Sequence, residues 1–116
     1  MTSSLISADK VEGTTVYNPS GEKLGSVRKV MIDKLSGRVA YADMAFGGFL
    51  GIGDRYHPLP WGKLKYDTKL DGYVVNLDKK QLEQAPSYAV NDRLDWDDPN
   101  WGKKVHDYYG LPPYWV

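Results

Sequence analysis

From Thr14 to Leu77, stretches rich in β-branched and aromatic residues alternate with turn-forming clusters at Asn18-Pro19-Ser20-Gly21, Lys34-Leu35-Ser36-Gly37 and Thr68-Lys69-Leu70-Asp71-Gly72. That punctuation predicts a sheet of short strands. The first strand is Thr14–Tyr17, and the second runs from about Leu24 to Ile32. Val27 and Val30 are three apart and would fall on opposite faces of a regular strand, so a bulge is predicted at Arg28-Lys29. In the third strand, Arg38 to Phe46, alternation puts Val39, Tyr41, Asp43 and Ala45 on one side and Ala40, Ala42, Met44 and Phe46 on the other. The Ala/Met/Phe side is the expected interior. Leu59-Pro60-Trp61 and Leu64-Lys65-Tyr66 follow as short strands whose proline suits an edge or corner. Tyr73 to Leu77 closes the region, with Tyr73, Val75 and Leu77 on one face. About six such strands are removed from edge exposure most simply by curling into a small closed barrel.

Helical signals flank this region. Ser7 to Gly13 has a cap and a stop for a single turn, and Asp78 can cap a helix over Lys79 to Gln84 that Ala85-Pro86 ends. Asp98-Pro99 and Gly110 bracket a third helix, with Trp101, Val105 and Tyr108 at i, i+4 and i+7 as one apolar stripe. The chain thus divides into residues 1–88, the β domain, and residues 89–116, an aromatic-rich extension packed on the barrel or on a partner. The acidic run from Asp92 to Asp98 reads as a surface linker. Its aspartates lack the ligand order of a calcium loop and are explained by capping and solvation.

At 116 residues, with 41% hydrophobic and 26% charged, the chain is long enough for one core and has no apolar run that could span a bilayer. Peripheral membrane attachment stays open. Fifteen basic against fifteen acidic residues leave no overall pull toward nucleic acid. Cysteine is absent, which removes thiolate chemistry and disulfides. Met1-Thr2-Ser3-Ser4-Leu5 has neither the basic start nor the apolar stretch of a signal peptide, so a cytoplasmic location is expected.

The candidate chemistry is sparse. Gly48-x-x-Gly51-x-Gly53 fits neither a dinucleotide fingerprint nor a Walker loop, and Asp54-Arg55-Tyr56-His57-Pro58 does not open a helix behind it. The glycines serve an irregular connection in which Phe49, Leu50 and Ile52 either tuck into the core or stand out as an apolar anchor. His57 and His106 are too few for a metal centre. His57 is expected to be a hydrogen-bonded loop residue and His106 a solvated one. Arg28, Lys29, Lys34 and Arg38 bracket one hairpin as a basic patch for RNA or an acidic protein.

Gly21-Glu22-Lys23-Leu24-Gly25-Ser26-Val27, Ile32-Asp33-Lys34-Leu35-Ser36-Gly37-Arg38-Val39-Ala40-Tyr41, Gly47-Gly48-Phe49-Leu50-Gly51-Ile52-Gly53-Asp54 and Pro60-Trp61 together resemble the PRC-barrel family over about Leu5 to Tyr88. That family includes the cytoplasmic domain of the photosynthetic reaction-centre H subunit and the C-terminal domain of RimM. The chain looks most like its stand-alone bacterial group, whose tail resembles Tyr108 to Trp115. The resemblance implies a mainly β fold, a small PRC-type β-barrel of about six strands with short helices at the termini. It also implies an adaptor or assembly module without catalysis or cofactor. Asp43 stands where the family pattern has an apolar residue, so its face is expected to look outward or to meet a partner's basic group. The expected partner-binding set is Phe49, Leu50, Ile52, Arg55, His57, Trp101, Tyr108, Tyr109, Tyr114 and Trp115, with a protein partner or a homodimer in view. The alternatives are a ribosome- or RNA-associated factor by analogy with RimM and, last, a small-ligand-binding protein or enzyme using His57.

Overall fold

The computed structural model describes residues 5–46, 55–89 and 92–113. Its elements in chain order are α1 (Ala8–Val11), β1 (Thr15–Tyr17), β2 (Lys23–Ile32), β3 (Val39–Phe46), β4 (Arg55–Pro60), a 3₁₀ turn (Trp61–Lys63), β5 (Lys65–Asp67), β6 (Gly72–Val74), α2 (Lys79–Glu83), β7 (Tyr88–Ala89) and α3 (Pro99–Tyr109). The strands form one sheet in the order β5-β6-β1-β2-β3-β4-β7, antiparallel except for the β1–β6 pair.

Seven strands therefore replace the expected six, and the ladder does not close among the described residues, because β5 and β7 lie at opposite ends. The extra strand is β7, whose two residues pair with Arg55 and Tyr56. Arg55 to Pro58, expected in a loop, open β4, while Trp61, expected at a strand end, falls in the 3₁₀ turn. The sheet nevertheless curls. Trp61, just past β4, has its ring 5.5 Å from that of Tyr73 in β6, although three strands separate β4 from β6 in the ladder.

The bulge is where alternation broke. Val27 faces Met44 and Lys29 faces Asp43, so Arg28 is the extra residue. Inside the curl, Val16, Val27, Ala42, Met44, Leu59, Val75 and Leu82 are buried in one cluster. The Ala/Met side of β3 is interior as expected, but its other side is buried as well. Tyr41 and Asp43 are covered, which corrects the outward face inferred for Asp43.

Over Tyr41 the cover is the C-terminal extension. Asp98 accepts a hydrogen bond from the Asn100 amide at 2.9 Å, Pro99 opens α3, and Gly110 ends it in the left-handed region at φ 69°. Val105 and Tyr109 join the core cluster, and Trp96 sets its ring 5.6 Å from Tyr41. The buried stripe is Gly102, Val105, His106 and Tyr109, so Tyr109 takes the place expected for Tyr108, which stays 40% exposed. His106 is also corrected: its Nε2 lies 3.0 Å from the buried Tyr41 hydroxyl.

Candidate functional site

α2 starts from a reciprocal capping box, in which the Asp78 carboxylate accepts from the Gln81 amide while the Gln81 side chain accepts from the Asp78 amide. Ala85-Pro86 end it, and Ser87 leads into β7. Across from this turn, α3 presents Asn100, Lys103, Lys104, Asp107 and Tyr108, the polar stripe opposite its buried one. Between them lies an open groove of about 720 Å³ lined by these residues and by Gln84 to Ser87.

Hydrogen bonds fix its walls. The Tyr108 hydroxyl donates to the Gln81 carbonyl at 2.5 Å, tying α3 to α2. Arg55 donates from Nε to Ser87 Oγ at 2.6 Å and from a terminal nitrogen to the Ser87 carbonyl at 3.2 Å. Lys103 pairs with Asp107 at 3.2 Å, and the Lys104 ammonium sits 5.5 Å from the centre of the half-buried Trp101 ring. The groove thus offers exchangeable charged and polar groups with aromatic neighbours, and neither histidine lines it.

The expected set is partly gathered here. Arg55 buttresses one wall through Ser87, Tyr108 lines the other, and Trp101 stands beside it under Lys104. His57 and Tyr109 are not part of it, because both are buried. Phe49, Leu50, Ile52, Tyr114 and Trp115 lie outside the described residues. Sequence reading missed Ser87, Asn100, Lys103 and Lys104, although the polar i, i+3, i+4 spacing of the last three on a helix was the available signal.

His57 is a core residue of β4, facing Met44, with its ring 5.5 Å from Phe46 edge to face. Neither ring nitrogen has a partner in good hydrogen-bond geometry, contrary to the expected loop role. Burial pushes its pKa down to about 4, with Arg55 adding to the fall and the nearby Leu82 and Arg55 backbone opposing it. Burial lowers His106 in the same direction.

On the outer side of the sheet, Asp43 is fully buried and accepts at one oxygen from Arg28, at 3.2 Å, and from the Tyr88 hydroxyl. The Arg28 guanidinium lies 4.1 Å from the centre of the Tyr56 ring, and Lys29 lies 5.4 Å from that of Trp96. The basic group met by Asp43 therefore comes from the same chain, delivered by the bulge. Burial raises the Asp43 carboxyl, while Tyr88, Lys29 and Arg28 pull it back down.

A family model for the PRC-barrel domain matches residues 4–82. The chain belongs to the PRC-barrel family. Within it, the family segment ends inside α2, so every residue lining the groove lies beyond the PRC-barrel match. Among solved structures, RimM from Pseudomonas aeruginosa, described as a 16S ribosomal RNA processing protein, is similar at 20% identity and a TM-score of 0.42. The match covers 65% of this chain and 45% of that one, so the chain spans less than half of that protein's length. No curated protein matches. Among the described residues, no helix is long and apolar enough to cross a membrane.

Proposed function

We propose that the protein is a non-catalytic PRC-barrel adaptor that binds a protein partner, seating a polar segment of it between Gln84–Ser87 and α3. One observation carries this reading: beyond the family domain the chain adds a docked helix, and the addition borders an open groove of about 720 Å³. The apolar residues Phe49, Leu50 and Ile52 of the glycine-rich segment are the second contact in this reading.

Affinity capture from native cell extract, comparing the wild type with a Lys104→Glu, Tyr108→Ala variant, tests it. Circular dichroism first confirms that the variant is folded. A protein held by the wild type and reduced at least about tenfold by the variant supports the proposal, since truncating a well-packed aromatic contact costs about 1.4 kcal/mol or more. Identical captured sets reject the groove as the seat.

A ribosome- or RNA-associated role is the second reading, and its contacts are Lys34 and Arg38 at the exposed hairpin tip, since Arg28 and Lys29 are engaged within the chain. Steeply salt-dependent RNA binding, lost in a Lys34→Glu, Arg38→Glu variant, would replace the adaptor reading.

A further inference from the structure

β5 is an edge strand, hydrogen-bonded to β6 on one side and to no strand on the other among the described residues. An uncovered edge presents unpaired backbone groups, and a lysine on it ordinarily discourages pairing with another chain. Here the lysine has a counterpart. The strand reads Lys65-Tyr66-Asp67, so antiparallel pairing with its own copy about a two-fold at Tyr66 sets Lys65 opposite Asp67 twice and Tyr66 opposite Tyr66.

The side chains agree with that register. Among the described residues Lys65 has no ion pair. Asp67 uses a single oxygen, Oδ1, to accept from the Lys69 and Leu70 amides at 2.8 and 3.1 Å, which leaves Oδ2 for a cation. Tyr66 is 51% exposed and Leu70, in the turn that follows β5, 37%. The Tyr66 ring lies 5.6 Å from Tyr73, whose ring lies 5.5 Å from Trp61, so an aromatic row runs from the core outward and stops at this edge.

We infer that two copies of the chain associate through their β5 edges, antiparallel and centred on Tyr66, joining two curled sheets into one and continuing the aromatic row across the two-fold. The surface shares no residue with the groove, so the dimer and the adaptor reading stand or fall separately. A three-residue edge buries little area, which places this association among weak, concentration-dependent ones.

Sedimentation equilibrium of the full chain from micromolar to millimolar concentration is the first test. The wild type is expected to rise toward twice the protomer mass, and a single protomer mass throughout overturns the inference. Growth past the dimer also overturns it, because a two-fold interface is closed. Charge reversal then tests the register. Lys65→Glu and Asp67→Lys are each expected to lose the dimer, whereas an equimolar mixture of the two is expected to recover it as a heterodimer, since every facing pair is again opposite in sign. Asp67→Lys also removes the turn acceptor, so its fold is checked by circular dichroism. Should it fail to fold, Lys65→Glu alone decides: a dimer undiminished by that change overturns the inference. Failure of two folded variants to pair does the same.

Discussion

His57 and Asp43 show two outcomes of burying an ionisable side chain. His57 stays neutral, with its pKa at about 4 against an unfolded value near 6.5. Between those values the unfolded chain binds more protons, so stability is fully present above about pH 6.5 and is lost as pH falls toward 4, by about 3 kcal/mol in all. His106 adds to the same slope. Replacing His57 with Leu is expected to remove its share. In urea titrations at pH 7 and pH 4, the wild type should lose about 3 kcal/mol more than the variant, and parallel losses would contradict the assignment. Asp43 is held by Arg28 and Tyr88, and Asp43→Ala leaves the buried Tyr88 hydroxyl unpaired. A loss of about 2–3 kcal/mol is expected from denaturant unfolding. Neither environment was legible from the chain. The alternation of β3 gives the Asp43 face correctly, but Tyr88 and the bulged Arg28 closing on it reverse outside to inside. His57 lies in a stretch whose proline and charges read as a loop.

At the scale of elements the chain is more transparent, because caps and bulges are local. Asp78, Asp98, Pro99 and Gly110 mark α2 and α3 to within a residue, and the Val27/Val30 spacing locates the bulge. What stayed hidden are pieces defined by their partners. β7 is two residues that are a strand only because Arg55 and Tyr56 lie alongside. The phase of α3 slipped by one residue because Tyr108 and Tyr109 are equally apolar in sequence, and tertiary packing chose Tyr109. Gly25 sits where β2 crowds β3, and a Cβ there would lie 2.1 Å from the Ala45 carbonyl oxygen. Since backbone must give way, Gly25→Ala is expected to destabilise by about 1–3 kcal/mol in urea unfolding. An unchanged midpoint would mean that the two strands are not held this close.

For the molecule as a whole, residues from both sides of position 88 meet in one buried cluster. Val105 and Tyr109 belong to the same buried cluster as Val16 and Met44, and Trp96 and His106 cover Tyr41. The extension is one wall of the fold, and the groove proposed to receive a partner exists because that wall is in place. The direct measurement is equilibrium unfolding of the full chain beside one truncated after Asp92. Losing the burial of Val105 and Tyr109 alone should cost about 4 kcal/mol, so the truncated chain is expected to unfold at much lower denaturant while the full chain melts in one transition. A truncated chain as stable as the full one, or a full chain melting in two separate steps, would show that the extension is not part of the core and would remove the groove with it.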